Sequence, residues 1–124
     1  MKKVILTPLA PQPIGPYSQA ILVNDTLYCS GQIPLDCKSG LIVGENVKDQ
    51  AELVCKNINA VLSEAGFSFE NVVKATCFLK NMSDFKDFNE VYAKYFISNP
   101  ARSCVAVKEL PKDCLVEVEV IAVK

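Results

Sequence analysis

Val72-Val73-Lys74-Ala75-Thr76-Cys77-Phe78-Leu79-Lys80 alternates apolar and polar residues, with Val73, Ala75, Cys77 and Leu79 set against Lys74, Thr76 and Lys80. A period of two marks a strand with one covered face. This strand decides the fold class because of what flanks it. Upstream, Val47, Ala51, Val54, Ile58, Val61, Leu62 and Ala65 recur in steps of three and four, with Asn46 placed to cap a helix and Gly66 to stop it. Downstream, Phe85, Phe88, Val91, Tyr92, Tyr95 and Phe96 form a second helical stripe between Ser83, the expected cap, and Asn99-Pro100, which ends it. Working outward, residues 2–6, 17–23 and 26–32 read as strands, the last two joined by the turn Asn24-Asp25, and residues 102–107 and 115–123 complete the set. The order is β-β-β-α-β-α-β-β. Interleaved helices and strands predict an α+β domain, one mixed sheet with two helices on one face. Valine, isoleucine and leucine occupy both sides of these strands, so the other sheet face also needs cover, which association with further copies would supply.

Composition narrows the function. The chain has 124 residues, enough for a single domain spanning 1–124 and too few for two. Its net charge is −1 and no lysine cluster reaches five or six in a row, which argues against a nucleic-acid partner. No apolar run approaches the length of a bilayer span, so no membrane partner is expected. Lys2 and Lys3 precede a short apolar stretch soon broken by Pro8, Pro11 and Pro13, a poor match to an export signal. A cytoplasmic location is therefore expected, with free thiols at positions 29, 37, 55, 77, 104 and 114. The cysteines are scattered and histidine is absent, so no metal site is expected. Proton chemistry falls to carboxylates, tyrosine, cysteine, lysine or water.

Arg102, in Pro100-Ala101-Arg102-Ser103-Cys104, is the only arginine in the chain; the other twelve basic residues are lysines. A guanidinium grips a carboxylate at two points, which an ammonium does not. The residue is either an anion clamp or half of a structural ion pair. In Leu115-Val116-Glu117-Val118-Glu119-Val120 the two glutamates share one strand face opposite the valines, either a solvated face or a site. Tyr17 follows the stiff Gly15-Pro16 pair and either meets a ligand or packs. Gly31, in Ser30-Gly31-Gln32, either lets a ligand approach the backbone or merely allows a bend. Asn89 lies within the aromatic stripe and either faces out or joins a site. Cys104 neighbours a cation but lacks a base, which favours burial.

Taken in order, Ile14-Gly15-Pro16-Tyr17-Ser18-Gln19-Ala20, Ser30-Gly31-Gln32-Ile33-Pro34, Pro100-Ala101-Arg102-Ser103-Cys104-Val105, Leu110-Pro111-Lys112-Asp113 and Val116-Glu117-Val118-Glu119 resemble the Rid family. These are the YjgF/YER057c-like reactive intermediate deaminases, and the match is to the RidA branch over nearly the whole chain. The resemblance implies a chorismate-mutase-like fold and a homotrimer with clefts between subunits. It implies hydrolysis of small 2-imino acids such as 2-iminobutanoate and 2-iminopropanoate to 2-keto acids and ammonia, with no cofactor. By position, Arg102 would hold the substrate carboxylate and Glu117 would orient or activate water. Tyr17, Ser30, Gly31, Asn89 and Cys104 would line the cleft. Ile97-Ser98-Asn99 is shorter than in many relatives, at a loop that borders the cleft in the family. Two other roles share these features, a non-catalytic trimer binding small carboxylates and a chaperone-like protein acting through apolar surface. Ribonuclease activity is also associated with the family, and the acidic isoelectric point and absent basic patch argue against it here.

Overall fold

The computed structural model describes residues 1–124. Six strands, β1 (Lys2–Ile5), β2 (Ala20–Val23), β3 (Thr26–Cys29), β4 (Val72–Leu79), β5 (Ala101–Ala106) and β6 (Val116–Val123), form one sheet in the order β1-β2-β3-β6-β4-β5. Every neighbouring pair is antiparallel except β4–β5, which runs parallel because α2 (Phe85–Tyr95) carries the chain back between them. The longer helix α1 (Val47–Glu64) joins β3 to β4 and packs against α2 and β6.

Local chemistry sets these boundaries. Asn46 caps α1, its Oδ1 accepting from the Asp49 N–H at 2.9 Å, an interaction worth about 1 kcal/mol. Gly66 ends the helix with φ +81°, while the Phe67 N–H reaches back to the Leu62 carbonyl at 2.9 Å. Only glycine takes that backbone shape cheaply. Val54, Ile58, Val61 and Leu62 are buried along the inner face of α1 against Val116, Val118, Val120 and Ala122 of β6 and Ala75, Cys77 and Leu79 of β4. Cutting Ile58 to alanine would cost about 2–5 kcal/mol through lost burial and the cavity left behind.

Several boundaries depart from the sequence expectation. Val73 does not join the core: the β4–β6 register slips between Val72 and Lys74, so Val72 is buried and Val73 faces out. The strand expected from residue 17 begins at Ala20, because the preceding residues are tied down by side chains instead. Gln19 accepts from the Thr7 N–H at 2.7 Å and donates to the Pro11 carbonyl at 2.9 Å, pinning the proline-rich segment to the sheet. Ser83 is not a cap; it lies inside a short 3-10 turn, Met82–Asp84, that leads into α2. After α2 the short Ile97-Ser98-Asn99 turn is anchored by the Ser98 hydroxyl, which donates to the Val72 carbonyl at 2.8 Å.

The helices cover one sheet face. On the other, Val4, Tyr28 and Val105 remain 55%, 50% and 47% exposed. The expectation of a second apolar face is therefore met. No helix is long and apolar enough to cross a membrane.

Candidate active site

The sheet register divides the candidate residues between two places. On β6, Val116 and Val118 are buried beneath the helices, so Glu117 points to the opposite, uncovered face, beside Phe78 of β4. On β5, Arg102 pairs with Ala75 and Cys104 with Cys77, and both partners are fully buried under the helices. Residues on one rung of a parallel pair share a side, so Arg102 and Cys104 face the helix layer. Within one chain, Arg102 and Glu117 thus stand on opposite faces.

Glu117 opens into a cavity of about 470 Å³ that Tyr17, Ser30 and Gly31 also line, with Ile14 and Ile33 as apolar walls. A bulge brings this backbone close. Tyr28 pairs with Ile121 but Gln32 pairs with Val118, four steps along one strand against three along the other. The extra residue falls within 29–31, and such insertions commonly re-aim side chains beside functional sites. Ser30 stays bound to the segment that leads into β2, its N–H donating to the Gln19 carbonyl at 2.9 Å and its hydroxyl to the Ser18 carbonyl at 2.6 Å. Gly31 comes so near Glu117 that a Cβ there would collide with Oε2 and lie 3.0 Å from Cδ. The missing side chain at Gly31 thus makes room for the chain's own carboxylate, a reason outside the two that the sequence offered. Desolvation, and secondarily the charge of Glu119, hold the Glu117 carboxyl above the usual carboxylate range. A carboxyl so placed is a better proton acceptor than an ordinary glutamate.

Arg102 is half-buried against α2. One of its Nη1 hydrogens is donated to Asn89 Oδ1 at 2.7 Å, and its Cζ lies 4.6 Å from the centre of the Tyr92 ring and 5.4 Å from that of Phe85. Phe85, Asn89 and Tyr92 follow one another by four and three residues, so they form a single stripe on the helix. The chain's ion pairs are Lys48–Glu90, Lys80–Asp113 and Lys94–Glu52, and none involves Arg102. The structural-pair alternative for this arginine therefore finds no partner within the chain. Cys104 is half-buried rather than enclosed; desolvation raises its thiol, and the Arg102 charge only partly offsets this. Its thiol is not an activated nucleophile.

Asn89, Arg102 and Cys104 thus gather on the helix side, and Tyr17, Ser30, Gly31 and Glu117 on the bare side. The sequence reading assigned Phe85 and Tyr92 to the helix core; both do pack against it, half-buried, and their rings also face Arg102. Their spacing from Asn89 was the available signal. Gln19 and Gln32, buried at the back of the cavity, were also passed over. A second cavity of about 410 Å³, between Thr7 and Leu9 on one side and Lys56, Asn59 and Ser63 of α1 on the other, contains none of these groups. No cluster of three or more histidine, cysteine or acidic side chains is placed to hold a metal ion.

Comparison with known proteins is consistent across sequence and structure. The family model described as Endoribonuclease L-PSP matches residues 7–124. A RutC family protein of Pyrococcus horikoshii is 54% identical over 125 residues, covering 100% of this chain and 99% of the relative. A human protein named 2-iminobutanoate/2-iminopropanoate deaminase is 46% identical over 125 residues, covering 100% of this chain and 91% of its own. The crystal structure of a Yersinia pestis member of the conserved Rid protein family superposes with a TM-score of 0.96 at 48% identity, each chain covered to 100%. With the predicted order of strands and helices observed as well, this chain belongs to the L-PSP family, the YjgF-like or Rid proteins.

Proposed function

We propose that the protein hydrolyses small 2-imino acids to 2-keto acids and ammonia, in sites shared between copies of a homotrimer. The observation that carries this reading is the unpaired guanidinium of Arg102. It is held by Asn89 and two aromatic rings, with four of its five N–H donors uncommitted within the chain. A fork held ready in this way suits a carboxylate, which every 2-imino acid has. Glu117 lies on the other sheet face of the same chain, so a complete site needs Arg102 from one copy and Glu117 from the next. The bare apolar face that bears Glu117 supplies the surface for that association. The name of the human relative supports the same chemistry.

The reaction follows from these groups. Arg102 fixes the carboxylate and so places C2 of the protonated imine near Glu117. Glu117 takes a proton from water as the oxygen bonds to C2 and the C=N electron pair moves to nitrogen. The carbinolamine nitrogen then receives that proton, the C–N bond breaks and ammonia leaves. The remaining hydroxyl loses its proton to give the keto acid. Histidine is not required, because a carboxyl lifted above its ordinary range performs both transfers. RNA cleavage fits less well, since a net charge of −1 offers no basic surface for a phosphate backbone.

The test couples a threonine dehydratase to this protein and follows the lifetime of the imine. Faster imine loss, most of it removed separately by Arg102→Lys and by Glu117→Gln, is the expected result. Co-refolding the two inactive variants in equal amounts should restore about a quarter of the sites, because each site draws one residue from each of two neighbours. No acceleration by the unaltered protein overturns the reading. Failure of the mixture to recover overturns the shared site.

A further inference from the structure

The aromatic stripe of α2 contains a tyrosine that packs half-buried against the core and also meets the guanidinium that the proposed chemistry uses. Tyr92 stacks on Phe96 with ring centres 4.1 Å apart and an angle of 6° between planes. That parallel contact occupies one face of the tyrosine ring and leaves the other for Arg102, whose Cζ lies 4.6 Å from the ring centre. The Tyr92 hydroxyl is buried and has no hydrogen-bond partner, the one such side-chain atom in the chain. Within the chain, then, it is the ring and not the hydroxyl that meets Arg102.

We propose that Tyr92 is a positioning residue for Arg102: its ring, backed by Phe96, fixes the plane of the guanidinium so that the donors not taken by Asn89 stay together as a fork. This inference rests on the reading of Arg102 as the carboxylate clamp. The logic is mechanical. Asn89 restrains the guanidinium at one Nη1 hydrogen, which still permits rotation about that bond. A flat ring below it removes that freedom, since cation and π face attract best when the guanidinium lies over the ring. Phe96 is 1% exposed and also packs edge-on against Phe69 at 5.0 Å, so the support beneath Tyr92 belongs to the rigid core. Strand β5 lacks a neighbour on its outer side, and this stack supplies the restraint that the sheet does not.

Because Arg102 is the only arginine, its side chain gives a single Nε–Hε signal in the nitrogen–proton spectrum, an unambiguous reporter. In the unaltered protein the arginine side-chain protons should be shifted upfield by the ring current. Tyr92→Phe should keep that shift, and Tyr92→Leu should lose it. Affinity for 2-oxobutanoate should be retained in Tyr92→Phe and fall about two- to thirtyfold in Tyr92→Leu, the range of a cation–π contact. KM for the imine should rise in parallel while kcat changes less. Arginine protons at free-arginine positions in the unaltered protein overturn the proposal, and this measurement stands even if Tyr92→Leu does not fold. Loss in Tyr92→Phe equal to that in Tyr92→Leu overturns it as well, by placing the role on the hydroxyl. If the unaltered protein binds no 2-oxobutanoate, the clamp reading falls and this inference with it. If it binds and Tyr92→Leu binds equally well, the inference alone falls.

Discussion

Strand β6 lies between β3 and β4 and is hydrogen-bonded along both sides, whereas β5 is bonded to β4 alone. Each carries one of the two residues central to the proposed chemistry, and each is held by different means. Glu117 is positioned by backbone: two neighbouring strands, a bulge, and a glycine that clears space for its carboxylate. Arg102 is positioned by side chains: an amide and two rings from α2. The difference suits the chemistry. A proton acceptor gains from desolvation on a rigid strand, which lifts its pKa. A carboxylate clamp must remain charged and open to its ligand, and a guanidinium keeps its charge in any surroundings.

The widest gap between the two regions should appear in turnover. Glu117→Gln keeps shape and hydrogen bonding but cannot accept the proton from water, so kcat should fall about 10²–10⁴-fold, with 2-oxobutanoate affinity retained. Retained turnover would remove Glu117 from the mechanism. The same variant sharpens the contrast in stability. The folded pKa of Glu117 is raised, so its proton stabilises the fold at low pH, and that contribution is lost as pH rises through the folded value. Glu117→Gln should therefore unfold at higher denaturant than the parent near neutral pH, with less difference in acid; a parent that is more stable at pH 7 would contradict this.

Gly31→Ala asks whether backbone alone places the acid. The added Cβ must displace the Glu117 carboxylate, and a shift near 1 Å costs about 100-fold in rate. The expected profile is low kcat with unchanged carboxylate binding, and a normal kcat would show that the carboxylate has room to spare. On the other side, Arg102→Lys keeps charge and loses the fork, costing roughly 1.5–3 kcal/mol, or about tenfold to a hundredfold, with the loss in affinity as well as rate. If that variant loses kcat alone, the two regions are not divided as described. The smallest effect belongs to Glu119→Gln. Its charge helps raise Glu117, so removing it should move the acid limb of the rate profile to lower pH while the plateau rate stays close to that of the parent. A collapse of the plateau would exchange the roles of the two glutamates.

Much of this molecule was legible as pattern. The period of α1, its Asn46 cap and the alternation of β6 are local features, and local features survive folding with little change. What the sequence hid was relational. The slip at Val72 and the bulge across 29–31 arise where two strands must fit one another, and no single strand records them. Tyr92 looked like core because a tyrosine on an apolar stripe usually is; only the parallel pairing of β4 and β5 brings Arg102 over its ring. The motifs pointed to Arg102 and Glu117 together, but that they face apart followed only from knowing which neighbours of each lie beneath the helices.

The one-sided pairing of β5 also has a consequence in time. A strand bonded to one neighbour frays more readily than one clasped on both sides, so amide hydrogens along Ala101–Ala106 should exchange with solvent well before those of Val116–Val123. Arg102 rides on that looser strand. A carboxylate bound by Arg102 would quiet the strand beneath it, and slower deuterium uptake along β5 would register occupancy of the site without any chemistry taking place.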